Sequence, residues 1–203
     1  MNTDKRSIDD ILLLICDFLN EKNIPYVVVG GMAVLVYGNL RTTMDVDIIV
    51  QLKAEDIGNL THFLEKKDFF ASEDDLRSAL RERSHCTVED KSSMIRLDIK
   101  GIYTESDKRS LERRKCMEWR GKTICVSSPE DLIGNKLLFG SEQDIKDAEG
   151  IWVRQKGNLD MEYLEGNCRS LGVWDDFIEM KNRIEKYLKE IEKREEKRLK
   201  ERD

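Results

Sequence analysis

Proline and histidine are nearly absent: two of each occur in 203 residues. Pro25 and Pro129 stand alone, so the chain contains no proline-rich linker, and no internal repeat is apparent. The five cysteines, Cys16, Cys86, Cys116, Cys125 and Cys168, are odd in number and lack Cys-x-x-Cys spacing. With only His62 and His85 to assist them, they argue against a structural zinc site and point to reduced, buried thiols. Long apolar runs are missing as well. The longest near the start, Ile11-Leu12-Leu13-Leu14-Ile15-Cys16, is far too short to span a bilayer, and acidic residues on both sides oppose a signal peptide. The expectation is a cytoplasmic protein with no membrane partner. Positive charge is also lacking: the formal net charge is −6 with 37% charged residues, which excludes bulk attraction to nucleic acid or acidic lipid.

What the chain does have is alternating and helical periodicity in a consistent order. Ile8, Ile11, Leu12, Ile15, Phe18 and Leu19 recur at helical spacing, giving an amphipathic helix that ends before Pro25. A strand over 26–29 follows, then a short apolar helix over 32–37 stopped by Gly38, then a strand over 45–50. Residues 53–68 and 72–83 read as helices, the second opened by Ser72 with Asp75 at capping-box spacing. Strands over 85–88 and 94–100 are joined by the polar stretch 89–93. Residues 105–115 are charged and helical or looped, and a small hairpin flanks Gly121-Lys122. From Ser128 the pattern turns helical, with segments over 129–140, 142–153, 160–170 and 174–200. The fold class is α/β (α+β): a mixed small sheet flanked by helices, residues 1–127, and a helical C-terminal region, residues 128–203, packed on it.

One constellation carries chemistry. Val27-Val28-Val29 runs into Gly30-Gly31, the way a strand hands the chain to a helix at a phosphate site. Asp45 and Asp47 lie two apart on the next strand, so both carboxylates face one side while Val46, Ile48 and Val50 face the other. Paired carboxylates near a Gly turn suit Mg²⁺ and a nucleoside triphosphate such as ATP or GTP. A third carboxylate has two candidates: Asp98, which alternates with Leu97 and Ile99, and Asp90 in the polar turn.

Val29-Gly30-Gly31, thirteen intervening residues, then Asp45-Val46-Asp47-Ile48 resembles the nucleotidyltransferase superfamily, which has the palm-like fold of DNA polymerase β. Arg41-Thr42-Thr43-Met44-Asp45-Val46-Asp47 looks most like the small prokaryotic branch that includes AbiEii-type abortive-infection toxins. The resemblance covers about residues 20–150 and makes Asp98 the match for the third acid. It implies an enzyme that moves a nucleoside monophosphate to a hydroxyl on RNA, protein or a small molecule. Asp45, Asp47 and Asp98 would hold two Mg²⁺ ions, with Mn²⁺ as a substitute, and Asp98 would help deprotonate the acceptor. Gly30 and Gly31 would hold phosphate through their amides, since Ser is absent at the second position. Arg41 either contacts phosphate or braces Asp45, and Thr43 orients the loop. Lys136, in Glu130-Asp131-Leu132-Ile133-x-x-Lys136, is either the triphosphate's cation or a solvated helix lysine, while Asp144 and Asp147 read as structural.

Two features admit a second class of function. Lys108, Arg109, Arg113, Arg114, Lys115, Arg120 and Lys122 form the densest basic stretch, either a guide for an acceptor or a solvated face. Phe177, Met180, Ile184, Tyr187 and Ile191 form a heptad-like seam that packs on the protein's own core or on a partner helix. The alternative to the enzyme is therefore a nucleotide-sensing or protein-binding module of a toxin–antitoxin-like system.

Overall fold

The computed structural model describes residues 5–38 and 40–200. Among them are nine helices and seven strands, in two compact units, one of residues 5–36 and 40–128 and one of residues 37–38 and 129–200.

The first unit begins with α1 (Ile8–Glu21), capped by Ser7, whose side chain accepts from the Asp10 amide while the Asp10 carboxylate accepts from the Ser7 amide. It continues through β1 (Tyr26–Val29), α2 (Gly30–Val36), β2 (Asp45–Val50), α3 (Ala54–Lys66) and β3 (Phe69–Phe70). Then come α4 (Glu73–Arg81), β4 (His85–Asp90), β5 (Arg96–Lys100), α5 (Glu105–Glu112), β6 (Lys115–Trp119) and β7 (Lys122–Val126). All seven strands join one mixed sheet in the order β3-β4-β5-β2-β1-β7-β6. Four neighbouring pairs are antiparallel, whereas β2 with β5 and β1 with β7 are parallel.

The two faces of this sheet differ, and that difference positions the site. One face is apolar: Val46, Ile48, Val50, Val88, Leu97 and Ile99 are all buried. The other carries register-aligned rows running across the strands. Phe70, Glu89, Arg96 and Asp45 make the first row; Thr87, Asp98, Asp47 and Val29 make the second. His85, Lys100, Ile49 and Val27 make the third. Leu111 of α5 packs with Val27 and Ile49, and Val29 packs against the same cluster, so α5 covers the β1–β2 end of this face. Its position is pinned by Asp107, which accepts from Lys100 Nζ at 2.7 Å and from the Tyr103 and Thr104 amides at 3.0 Å. Burial by itself would raise that carboxyl, but these bonds hold it below the ordinary value. The first two rows remain open on this face at Glu89, Arg96 and Thr87, all exposed.

The β6–β7 hairpin turns at Arg120 and Gly121, both in the left-handed region (φ 48° and 81°), as a two-residue hairpin loop requires. Its register sets Cys116 opposite Cys125, and the two form a disulfide. This corrects the expectation of reduced thiols throughout; Cys16, Cys86 and Cys168 alone are free and buried. A nine-residue separation conceals a pairing that only the hairpin register creates. β3, two residues long, was too short for any periodicity to announce it.

The second unit holds α6 (Pro129–Phe139), α7 (Glu142–Gln155), α8 (Met161–Leu171) and α9 (Trp174–Lys200). Pro129 opens α6 at the position where its missing N–H costs nothing, and Gly172, at φ 74°, closes α8 with a left-handed cap. Trp152 meets Phe177 edge to face at 5.3 Å between ring centroids, with Val173 and Met180 buried beside them. The first half of the α9 seam is thus used inside its own unit, whereas Tyr187 is 61% exposed. Among the described residues no helix is long and apolar enough to cross a membrane.

Candidate functional site

The chain leaves β1 at Val29 and enters α2 through Gly30, whose φ of +60° suits glycine and strains other residues. Space makes the same demand. A Cβ at Gly30 would overlap Asp47 Oδ2 and lie 2.8 Å from Asp47 Cγ. A Cβ at Gly31 would lie 2.7 Å from Thr43 Oγ1 and 3.2 Å from Arg41 Cζ. The two glycines, which the sequence offers as a phosphate turn, therefore also make room for three side chains of the following strand and loop. Thr43 Oγ1 donates to the Asp45 carbonyl at 3.3 Å, a backbone bond at the start of β2.

The sheet register places the acids. Asp47 lies opposite Val29 on one side and beside Asp98 on the other, in a parallel pair where register partners point to the same face. Asp45, two residues back, shares that face and is paired with Arg96. All three carboxylates are partly buried, and Asp47 and Asp98 are immediate neighbours across strands. Asp90, the competing third acid, points to the opposite face. There it is buried, bound to Arg6 Nη1 at 2.8 Å, and accepts from the Ser92 hydroxyl at 2.7 Å, so it fastens the β4–β5 turn.

Two partners of the acids are new. Arg96 Nε donates to Asp45 Oδ1 at 2.7 Å, and this bond raises the guanidinium further above its already high value. Thr87 Oγ1 donates to Asp98 Oδ1 at 2.5 Å. Strand alternation puts Arg96 on the face of Asp98, but which strand lies alongside it is a property of the tertiary register. Thr87 lacked even that signal, because its importance comes only from being opposite Asp98.

Lys136 departs from one of its sequence readings, the solvated helix lysine. It is buried on α6, and its ammonium meets Asp144 Oδ1 at 2.6 Å and Asp147 Oδ2 at 3.0 Å, the latter side chain fully buried. A cation matched by two carboxylates of the helical unit is a framework element of that unit. Two cations of the basic stretch are likewise engaged: Arg120 pairs with Asp9 at 2.7 Å, and Lys122 pairs with Asp17.

Whether the acids suit a divalent ion can be judged from their chemistry. Among the described residues no group of three His, Cys, Asp or Glu side chains is close enough to enclose a metal. Mg²⁺ does not ask for such a cage; it takes one or two carboxylates and completes its shell with water and substrate phosphates. Asp47 and Asp98, side by side at an open part of the sheet, match that pattern. Asp45 adds a third oxygen donor currently satisfied by Arg96.

Comparison with known proteins gives a family and a fold. The sequence matches, over residues 8–192, the family described as "Nucleotidyltransferase of unknown function (DUF6036)". No curated protein matches it by sequence. An antigenic nucleotidyltransferase-like protein from Paracoccidioides brasiliensis has a TM-score of 0.53 at 19% identity, over 82% of this chain and 89% of that one. ANT(2")-Ia, in complex with adenylyl-2"-tobramycin, has a TM-score of 0.50 at 14% identity, over 79% and 94%. The lincosamide antibiotic adenylyltransferase LnuA, lincomycin-bound, has a TM-score of 0.50 at 16% identity, over 73% and 98%. At such identities the likeness is one of fold.

Proposed function

The chain belongs to the nucleotidyltransferases of family DUF6036, and on that premise we propose that it moves a nucleoside monophosphate from a nucleoside triphosphate to a hydroxyl acceptor and releases pyrophosphate. The observation that carries the reading is the second row of the sheet. Asp98 and Asp47 stand on adjacent strands, and Asp47 lies directly against the Gly30 turn, which has no side chain to keep a ligand away.

Asp45, Asp47 and Asp98 are the residues that would hold Mg²⁺. When bound, the ion neutralises charge on the attacking and leaving oxygens of an in-line displacement. The rest falls to the chain. Gly30 and Gly31 let the triphosphate approach the backbone beside Asp47, and the Arg41 guanidinium, packed at the same turn, would contact the phosphates. Asp98 accepts a proton from the incoming hydroxyl, a role for which its Oδ1 already binds a hydroxyl, that of Thr87. ANT(2")-Ia and LnuA, by their descriptions, bind adenylyl-2"-tobramycin and lincomycin, which keeps a small molecule beside RNA and protein as an acceptor class.

The test is label transfer from each of the four α-labelled nucleoside triphosphates with Mg²⁺, using cell RNA, cell protein and a panel of small-molecule alcohols as acceptors. Asp45→Asn/Asp47→Asn is the control. Transfer that disappears in the control supports the reading and identifies base and acceptor together. Metal-dependent triphosphate binding with no product from the wild type would overturn it in favour of a nucleotide-sensing module.

A further inference from the structure

We infer that Thr87 is itself an acceptor: the protein transfers a nucleoside monophosphate onto its own Thr87 hydroxyl. The inference rests on the activity proposed above and assigns that same site its first acceptor.

Three observations converge on this residue. The first is chemical. A threonine hydroxyl is a poor nucleophile until a base takes its proton, and Thr87 Oγ1 already donates that proton to Asp98 Oδ1 at 2.5 Å. The second is positional. Thr87, Asp98 and Asp47 are consecutive members of one row, and Val29, which leads into the Gly30 turn, ends it. Neighbouring strands are roughly 4.8 Å apart, so the row spans about 14 Å from the Gly turn to Thr87. A triphosphate with its terminal phosphates at the turn and its α-phosphorus above Asp47 and Asp98 would leave that phosphorus about one and a half strand spacings, roughly 7 Å, from the Thr87 backbone, a gap the side chain narrows. The Thr87 side chain leans towards it, as its bond to Asp98 demonstrates. The third is access. Thr87 is exposed, its neighbours on the same face of β4, His85 and Glu89, are exposed, and the cluster that α5 packs on lies at the β1–β2 end of the face, at Val27, Val29 and Ile49. A nucleotide attached there has space.

The step balances without any further reagent. A bond forms from Thr87 Oγ1 to the α-phosphorus as the bond from that phosphorus to the pyrophosphate oxygen breaks. The Oγ1 proton passes to Asp98 and then to water, pyrophosphate leaves, and nothing is oxidised or reduced. The product is a phosphodiester between Thr87 and the nucleoside, lying across the carboxylate that served as base. Modified protein is thereby blocked on the side from which any external acceptor must approach.

The experiment uses the full chain with each nucleoside triphosphate and Mg²⁺ or Mn²⁺, with no added acceptor. Intact mass is measured, followed by peptide mapping. The expected result is a gain of one nucleoside monophosphate per chain at Thr87. Thr87→Ser should keep it. Thr87→Val, which suits an exposed strand and replaces only the hydroxyl with a methyl group, should lose it, and Asp98→Asn should slow it by about a hundredfold or more. Thermal unfolding of each variant confirms that the fold persists. An adduct on another residue, or one that survives Thr87→Val, would overturn the inference. So would transfer to added acceptors without any mark on Thr87, an outcome that leaves the transferase reading intact. Absence of transfer to Thr87 and to every added acceptor would overturn both.

Discussion

Gly30→Ala is the substitution whose consequences can be worked furthest from the structure. Alanine at φ +60° costs about 1–2 kcal/mol, because its Cβ crowds the following carbonyl. The same Cβ would overlap Asp47 Oδ2 and sit 2.8 Å from Cγ, so the carboxylate must swing away. Holding Asp47 off its rotamer adds about 0.5–1.5 kcal/mol. The sum, about 2–3 kcal/mol, divides into a backbone part that belongs to residue 30 and a steric part that belongs to the pair. A double-mutant cycle separates them. In an Asp47→Ala background the atoms that collide are gone, and Gly30→Ala should cost only the backbone part. Urea unfolding of the four proteins should return a coupling of about 1 kcal/mol. Equal costs in the two backgrounds would refute the claim that Gly30 exists to admit Asp47. The same displacement, about 1 Å at a group beside the reacting phosphorus, should lower transfer about a hundredfold in a chain that still folds.

Three further outcomes are expected. Arg96→Gln leaves Asp45 without its guanidinium partner and should tighten Mn²⁺ binding by up to about fivefold, the range of an exposed ion pair, as read by calorimetry; weaker binding would mean that Arg96 organises Asp45 for the ion instead of competing with it. Lys136→Met removes the cationic partner of the fully buried Asp147, which keeps its bond from Gln143, and should destabilise the protein by about 3–5 kcal/mol, with Asp147→Asn recovering part of the loss; a change under about 1 kcal/mol in denaturant unfolding would refute a framework role for the pair. Reducing Cys116–Cys125 frees a nine-residue separation in the unfolded chain and should cost about 2–3 kcal/mol, lowering the thermal midpoint in wild type while leaving a Cys116→Ser/Cys125→Ser variant indifferent to reductant.

The parts of this molecule that could be read in advance are those encoded within a few residues of one another. β1 over 26–29 and β2 over 45–50 announce themselves by apolar runs and alternation, and α6 by a proline at its first position. The Gly pair and Asp45-Val46-Asp47 are likewise local, and so was the resemblance they carry. What lay out of reach depends on register between distant segments. Arg96 bonds an acid 51 positions earlier, and Thr87 matters only because β4 is laid antiparallel to β5 with residue 87 opposite 98. The Cys116–Cys125 bond is the intermediate case. A turn centred on Arg120-Gly121 dictates that 116 faces 125, so hairpin arithmetic would have found it where cysteine counting did not. The burial of Lys136 was hidden for a different reason: a helical lysine in a charged segment says nothing about how many carboxylates will surround it.

The sheet has two outer strands, and each is ill suited to recruiting a stranger. An outer strand offers unpaired amides and carbonyls to any extended peptide, and long flat ones invite fibrillar stacking. On one side β3 is only two residues long, giving an incoming chain almost no ladder to extend, despite a phenylalanine ring that is 64% exposed. On the other, β6 carries Lys115 and Glu118 towards solvent and is stapled through Cys116 to its inner neighbour, so it cannot peel away and offer both rims. The polar sheet face is open while the sheet is closed sideways, and the protein should remain dispersed at concentrations where an unguarded seven-stranded sheet would stick to itself.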